Sequence, residues 1–305
     1  MSVVLLLAPV GAIALLFLFC AGVIVSAPGR VFVTSTLESS SGMTLPLEFS
    51  AVVDAEVVWR RNLFLWASAG ALASGLLLLA VDTDSLIVSD LHLTLVLAVT
   101  FGALSGLVGI ARGERRPTAA AGFGVESPGS PLGSVIGSLA ITMGWIISLL
   151  ALTFAGITIW LAVTEGYGDR SMSDVVARVS VTVGFALVCP IVLTIASILS
   201  NRRRTEPTHQ HLAWREALLA QRTWALVLAT SVLIAAVING MGRVASDLLP
   251  PTPDHVADRV VMSVATMICS VLIVVYAAVV TRTKPQRRYL HENWPDLAAD
   301  RSVGG

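Results

Sequence analysis

The densest group of ligating side chains in the sequence is Glu206, His209, Gln210, His211 and Glu216. Two imidazoles on alternating residues could meet one cation, as nitrogen and carboxylate ligands do in zinc sites. Arg202, Arg203 and Arg204 stand beside them, would repel that cation, and leave no third ligand fixed by spacing, so no metal site is expected. The remaining polar chemistry lies inside apolar runs. Ser68, Thr100, Ser105, Thr142, Ser148, Thr153, Thr182, Thr194, Ser263, Thr266 and Ser270 are hydroxyls that could line a path for a neutral solute. More often such groups bond back to their own helix or across to a neighbour. Asn239 is the most polar residue of any run, and a packing hydrogen bond is its simplest role.

What is missing narrows the field further. No Asp, Glu, Lys or Arg lies in the central part of any apolar run. Ionisable groups at membrane depth are costly and mark proton relays, ion sites and voltage sensors, so their absence argues against those functions. The last run has no Lys to carry a Schiff base, and no run contains GxGD, HExxH or GxSx. There is no P-loop to hold nucleotide phosphates. Catalytic residues and cofactors are therefore not expected, and the chain reads as non-enzymatic.

The elements that carry these residues are seven hydrophobic runs, roughly 3–25, 62–81, 91–111, 139–163, 179–200, 223–241 and 260–281. A hydrocarbon core about 30 Å thick is crossed by about 20 residues of helix. In hydrocarbon a spanning segment must satisfy its own backbone, so each run is expected to be a helix. The 55% hydrophobic and 13% charged composition, with mean hydropathy +0.81, agrees and leaves no room for a separate soluble domain. The expectation is a single all-α membrane domain over residues 1–305, with loops 26–61, 112–138 and 201–222 and tail 282–305 on one side.

That side is the cytoplasm if basic residues follow the positive-inside rule. Of the 20 Lys and Arg residues, 16 fall in those loops and the tail, and four fall in the opposite set. The topology read from this bias is N-terminus outside, C-terminus inside. Trp66 and Trp224 then sit near inner ends and Trp160 near an outer end, where indoles anchor at the interface. A cleaved signal peptide competes for the first run, because Val25-Ser26-Ala27 resembles a cleavage site. The run lacks a basic n-region and Pro28 would follow the cut, so a retained span is expected. The basic residues are all Arg except Lys284, which points to a GC-rich bacterial gene and hence a bacterial plasma membrane. Cys20, Cys189 and Cys269 lie within runs and read as small buried hydrophobes rather than a disulfide or metal framework.

The loop order suggests two parallel three-helix repeats, with the fourth span as their linker, a plan known among transporters. Each half has a long inner loop ending in a helical stretch with Trp and Arg, Ala55–Arg61 and Ala213–Arg222. Small residues at helical spacing, Gly70, Gly75, Gly102 and Gly106, are candidate helix-packing positions. Within the chain they would bring spans two and three together, and a homodimer seam is the other use. Pro9 and Pro190 are candidate kinks and, with Asn239, mark a candidate polar path. Arg30–Leu37 and Met43–Val53 look like the arms of a β-hairpin. For the second arm an amphipathic helix over Phe49–Trp59 is preferred, because Phe49, Val52, Val53 and Val57 share a face. Residues 113–134 read as a flexible Gly/Pro/Ser/Ala linker.

One stretch carries a family resemblance. Arg204-Thr205-Glu206-Pro207-Thr208, followed by Trp214, Ala217 and Arg222 before the last two spans, resembles the cytoplasmic signature of the SdpI/YhfL family. The likeness covers residues 204–222. It implies toxin immunity or membrane signalling, with Arg204, Thr205, Thr208 and Trp214 as candidate interaction residues. The expected partners are the bilayer, anionic lipid at the inner face, and a protein bound through the cytoplasmic loops, with a homo-oligomer as a further option. Nucleic acid is not an expected partner. The alternative function is a facilitator of a small neutral solute, or a membrane subunit of a larger transport complex.

Overall fold

A computed structural model of the chain describes residues 3–41, 50–80, 87–113, 125–127, 137–167, 172–201, 204–206, 208–250, 252, 255–283, 287 and 291–295. In chain order its elements are α1 (Val3–Val25), α2 (Ala27–Ser41), α3 (Ser50–Ala80), α4 (Ile87–Gly113), β1 (Val125–Ser127), α5 (Ser138–Thr164), α6 (Met172–Ser200), β2 (Arg204–Glu206), α7 (His209–Leu248) and α8 (Val256–Thr283). The fold is helical, as the apolar runs require. Among the described residues it departs from all-α at one antiparallel ladder, where β1 pairs with β2. Val125 faces Glu206, Glu126 faces Thr205, and Ser127 faces Arg204. The ladder ties part of the expected linker to the loop before α7; most of 113–134 lies outside the described residues.

Five helices are long and apolar enough to cross a bilayer, over Ala8–Val25, Ala140–Thr164, Arg178–Ser200, His209–Leu248 and Val256–Val279. That is the pattern of a multi-pass membrane protein. α4 carries a shorter apolar stretch, Leu97–Ala111. Val260, Val264, Val271 and Val275 on α8 are all exposed, as lipid-facing side chains are. At 1.5 Å per residue, the 40 residues of α7 extend well beyond what a hydrocarbon core needs.

The chain forms two compact units. The first holds residues 1–138, 194–226 and 284–305; the second holds 139–193 and 227–283. In the first unit α1, α3 and α4 pack on one another, and α2 packs on α1 and α3. The core is a layer of small side chains, Ala14, Ala67, Ala71 and Ala98. Small residues let backbones approach, and hydroxyls then bridge the helices. Ser68 donates to the Ala14 carbonyl (3.1 Å), and Ser74 donates to Thr94 Oγ1 (2.9 Å).

The corner between α1 and α2 is built from Ser26. Its hydroxyl donates to the Val23 carbonyl and accepts from the Gly29 amide (3.4 Å), which caps α2. A side chain on Gly29 would run into the carbonyls of Val23 and Ile24, so this tight bend requires glycine. α2 then replaces the first arm of the expected hairpin. Val33 and Leu37, one turn apart, are fully buried. The hydroxyls of Thr34, Ser35 and Thr36 bond back to carbonyls of the preceding turn at 2.7–3.0 Å. β-propensity here loses to packing on α1 and α3, because that preference is strongly context-dependent.

The stretch before the second run is also helical and continuous with it. The buried face of α3 runs Val53, Glu56, Val57, Ala67, Ser68, Ala71 and Ser74, at helical spacing through the expected boundary at residue 62. Phe49 lies outside the described residues.

In the second unit α5 packs with α6, α7 and α8 around Leu161, Ala162, Val175, Val244, Ala245, Leu248 and Leu249. Span four, the expected linker of two repeats, is therefore part of one unit with residues of the spans that follow it. The Arg259 guanidinium donates to the Leu249 carbonyl and closes the end of α7. Ser270 donates across to the Ala235 carbonyl (3.2 Å).

Candidate functional site

The polar groups of the first unit gather where α3 begins its apolar stretch. Glu56 is fully buried on the inner face of α3, an unusual place for a carboxylate. Two arginines hold it. Arg60, one turn on, donates Nε to Oε1 (2.9 Å), and Arg222 of α7 donates Nε to Oε2 (2.8 Å). Both guanidiniums are largely buried themselves, with side chains 16% and 13% exposed. A carboxylate taken out of water is tolerated only when its oxygens are paired, and here each oxygen has its own cation.

Trp59 completes the cluster. Its ring lies 5.3 Å from the Arg222 guanidinium carbon, within cation–π range. Its indole nitrogen donates to the Gly106 carbonyl of α4 (3.1 Å). Gly109 makes room for the ring, since a Cβ there would lie 2.7 Å from Trp59 Cδ1. The start of α3, the end of α4 and the start of the apolar part of α7 thus meet at one level. Elsewhere on α3, the buried Nε of Arg61 has no hydrogen-bond partner among the described residues.

A second polar layer sits at the amino end of α7. Thr208 caps the helix, its Oγ1 accepting from the His211 amide (3.2 Å) and lying 2.8 Å from His211 Nδ1. Glu216, mostly buried, accepts from the Trp294 indole (3.2 Å), and the Trp294 ring stands edge-on to His209 at 5.8 Å. Trp214 is only 1% exposed, and its indole nitrogen has no hydrogen-bond partner among the described residues.

The residues singled out in the sequence fall as follows. Arg204 and Thr205 belong to the β2 ladder, Thr208 is an exposed cap, and Trp214 is packed inside. His209 faces Trp294 and His211 faces Thr208, and among the described residues no group of three or more His, Cys, Asp or Glu is placed to hold a metal ion. Gly70 lies against the α4 backbone, where a Cβ would sit 2.5 Å from the Leu97 carbonyl oxygen. Gly102 approaches the Leu63 carbonyl, Gly106 faces Leu63 and Leu226, and Gly75 is buried. Pro9 belongs to the first unit, Pro190 and Asn239 to the second, and all three are half-buried.

Glu56 was not among the sequence candidates. A signal for it existed: Ala55–Arg61 and Ala213–Arg222 stood out as matching Trp/Arg segments before two spans. They matched as possible repeats, whereas the structure joins them to each other across 166 residues of sequence. Comparison with known families, curated proteins and solved structures finds no match to this chain.

Proposed function

We propose that this chain is a non-enzymatic, seven-span protein of a bacterial plasma membrane, N-terminus outside and C-terminus inside. Its role is to bind a protein partner at the cytoplasmic face, in toxin immunity or membrane signalling. The observation that carries this reading is the Glu56–Trp59–Arg222 junction. It brings the start of α3, the end of α4 and the start of the apolar part of α7 to one level, and these ends carry the basic residues that mark the inner side. The charges at this junction are thus paired and buried, fixing the helix ends that carry the loops, while the spans carry no central charge with which to do transport or acid–base chemistry.

The contact residues in this reading are Arg204, Thr205 and Thr208, with the buried Trp214 as a packing support at the start of α7. The test is affinity purification of the tagged chain from native membranes, beside an Arg204→Ala/Thr205→Ala variant of equal abundance. A stoichiometric partner held by the wild type and lost from the variant is the expected result. A chain that purifies alone in both cases would overturn the reading and favour a facilitator of a neutral solute.

A further inference from the structure

α2 leaves the span of α1 at the Ser26 corner and covers one of its own faces against the unit. Gly29, Val33 and Leu37, each four residues apart, form that buried face. The opposite side begins with Val31 and Phe32, 69% and 59% exposed, and continues with exposed Ser35 and Ser39. Its apolar part is therefore the end that adjoins the span. α1, which α2 follows directly, exposes Leu15, Leu16, Phe19 and Val23 on one side of that span. Val31 and Phe32 follow within seven residues of Val25, where the span ends, which is about 10 Å of helix even without the corner. A helix bent at that point keeps them in the headgroup layer, roughly 5–8 Å deep on each side of the hydrocarbon. Charge adds little. α2 has one basic and one acidic residue, Arg30 and Glu38, and Arg30 pairs with Asp54 of α3 at 2.7 Å. Apolar insertion is the force left to hold this face to a membrane surface.

We propose that α2 is an interfacial helix, docked on the bilayer surface by insertion of Val31 and Phe32 among the lipid headgroups. Its partner is phospholipid irrespective of headgroup charge, met by continuity with the exposed apolar side of α1. Val33 and Leu37 hold α2 to its unit from the other face, so the inserted pair sets the depth at which α1 sits in the membrane. The inference rests on the membrane reading, and neither on which side faces the cytoplasm nor on a protein partner.

The test uses the full chain with Cys20, Cys189 and Cys269 replaced by Ala and a single new cysteine at Phe19, Phe32 or Thr208. All three of those positions are exposed, so the changes should leave the fold intact. Each variant carries a small fluorophore on its cysteine and is reconstituted into phosphatidylcholine vesicles. Two quenchers are compared, a phosphatidylcholine with a nitroxide near its headgroup and aqueous iodide. The Phe32→Cys probe should lose fluorescence to the nitroxide lipid, as the Phe19→Cys probe does, and resist iodide. The Thr208→Cys probe, at the amino end of α7, should show the reverse. Adding phosphatidylglycerol should leave the Phe32→Cys result unchanged. A Phe32→Cys probe quenched by iodide and spared by the nitroxide would overturn the proposal and leave this face in water. A probe spared by both quenchers would overturn it too, and would give the face to a protein surface or a second copy of the chain. If the Phe19→Cys probe also escapes the nitroxide, the membrane reading itself fails, which separates that failure from this one.

Discussion

Glu56 is the residue on which the first unit turns, because its burial is tolerable only with both arginines in place. Arg222→Ala leaves one carboxylate oxygen buried without its cation. Breaking a buried pair costs about 3–5 kcal/mol, and the remaining Arg60 contact places this variant at the lower end. Thermal melting in detergent should show the loss. A Glu56→Gln/Arg60→Gln/Arg222→Gln triple variant should melt higher than Arg222→Ala, since it leaves none of the three bridge charges unpaired. If the single variant melts like the wild type, the bridge does not hold the helices. Trp59→Phe keeps the ring but loses the bond to the Gly106 carbonyl, which should cost about 1 kcal/mol in the same assay. Glu56 was hard to find in the sequence for a physical reason. A lone Glu beside a span start reads as solvated, and only the approach of Arg222 makes it a core residue.

At the scale of the element, the glycines of α3 and α4 set how closely two helices can lie. A Cβ on Gly70 would push against the backbone of Leu97 and Ala98, and backbone cannot swing aside. Gly70→Ala should therefore destabilise the pair by about 1–3 kcal/mol, the usual cost of overpacking. The same change at Gly11, where a Cβ would meet nothing, should be nearly silent. Equal melting of the two variants would contradict the packing described. That the runs form helices was legible in the sequence, because apolar length alone demands it. Their ends were not. α3 begins at Ser50 and α7 at His209, each well before its apolar run. The amphipathic face expected over Phe49–Trp59 and the helical stretches Ala55–Arg61 and Ala213–Arg222 did signal these extensions, and Val53 and Val57 are buried as that face requires; that each is continuous with its apolar run was not legible. The strand look of Arg30–Leu37 misled for a related reason: Val, Thr and Ser suggest a strand locally, but Val33 and Leu37 are a helical pair once α1 and α3 are beside them.

For the whole molecule, the membrane setting was the most legible feature and the candidate contact surface the least. Arg204 and Thr205 stood out by family resemblance, yet their partner strand, Val125–Ser127, lies in a segment whose composition suggests only a linker. Strands of three residues leave almost no periodic signal. Sidedness decides between the functional readings, since the proposed surface works only if it faces the cytoplasm. The direct measurement is cysteine labelling in intact cells with a membrane-impermeant maleimide, in a variant whose Cys20, Cys189 and Cys269 are replaced by Ala. Single cysteines at Glu165 and Thr252 should label from outside. Those at Asp54, His209 and Glu292 should label only after the membrane is opened. Labelling of Asp54 or His209 in intact cells would contradict the topology and remove the cytoplasmic surface on which the account depends.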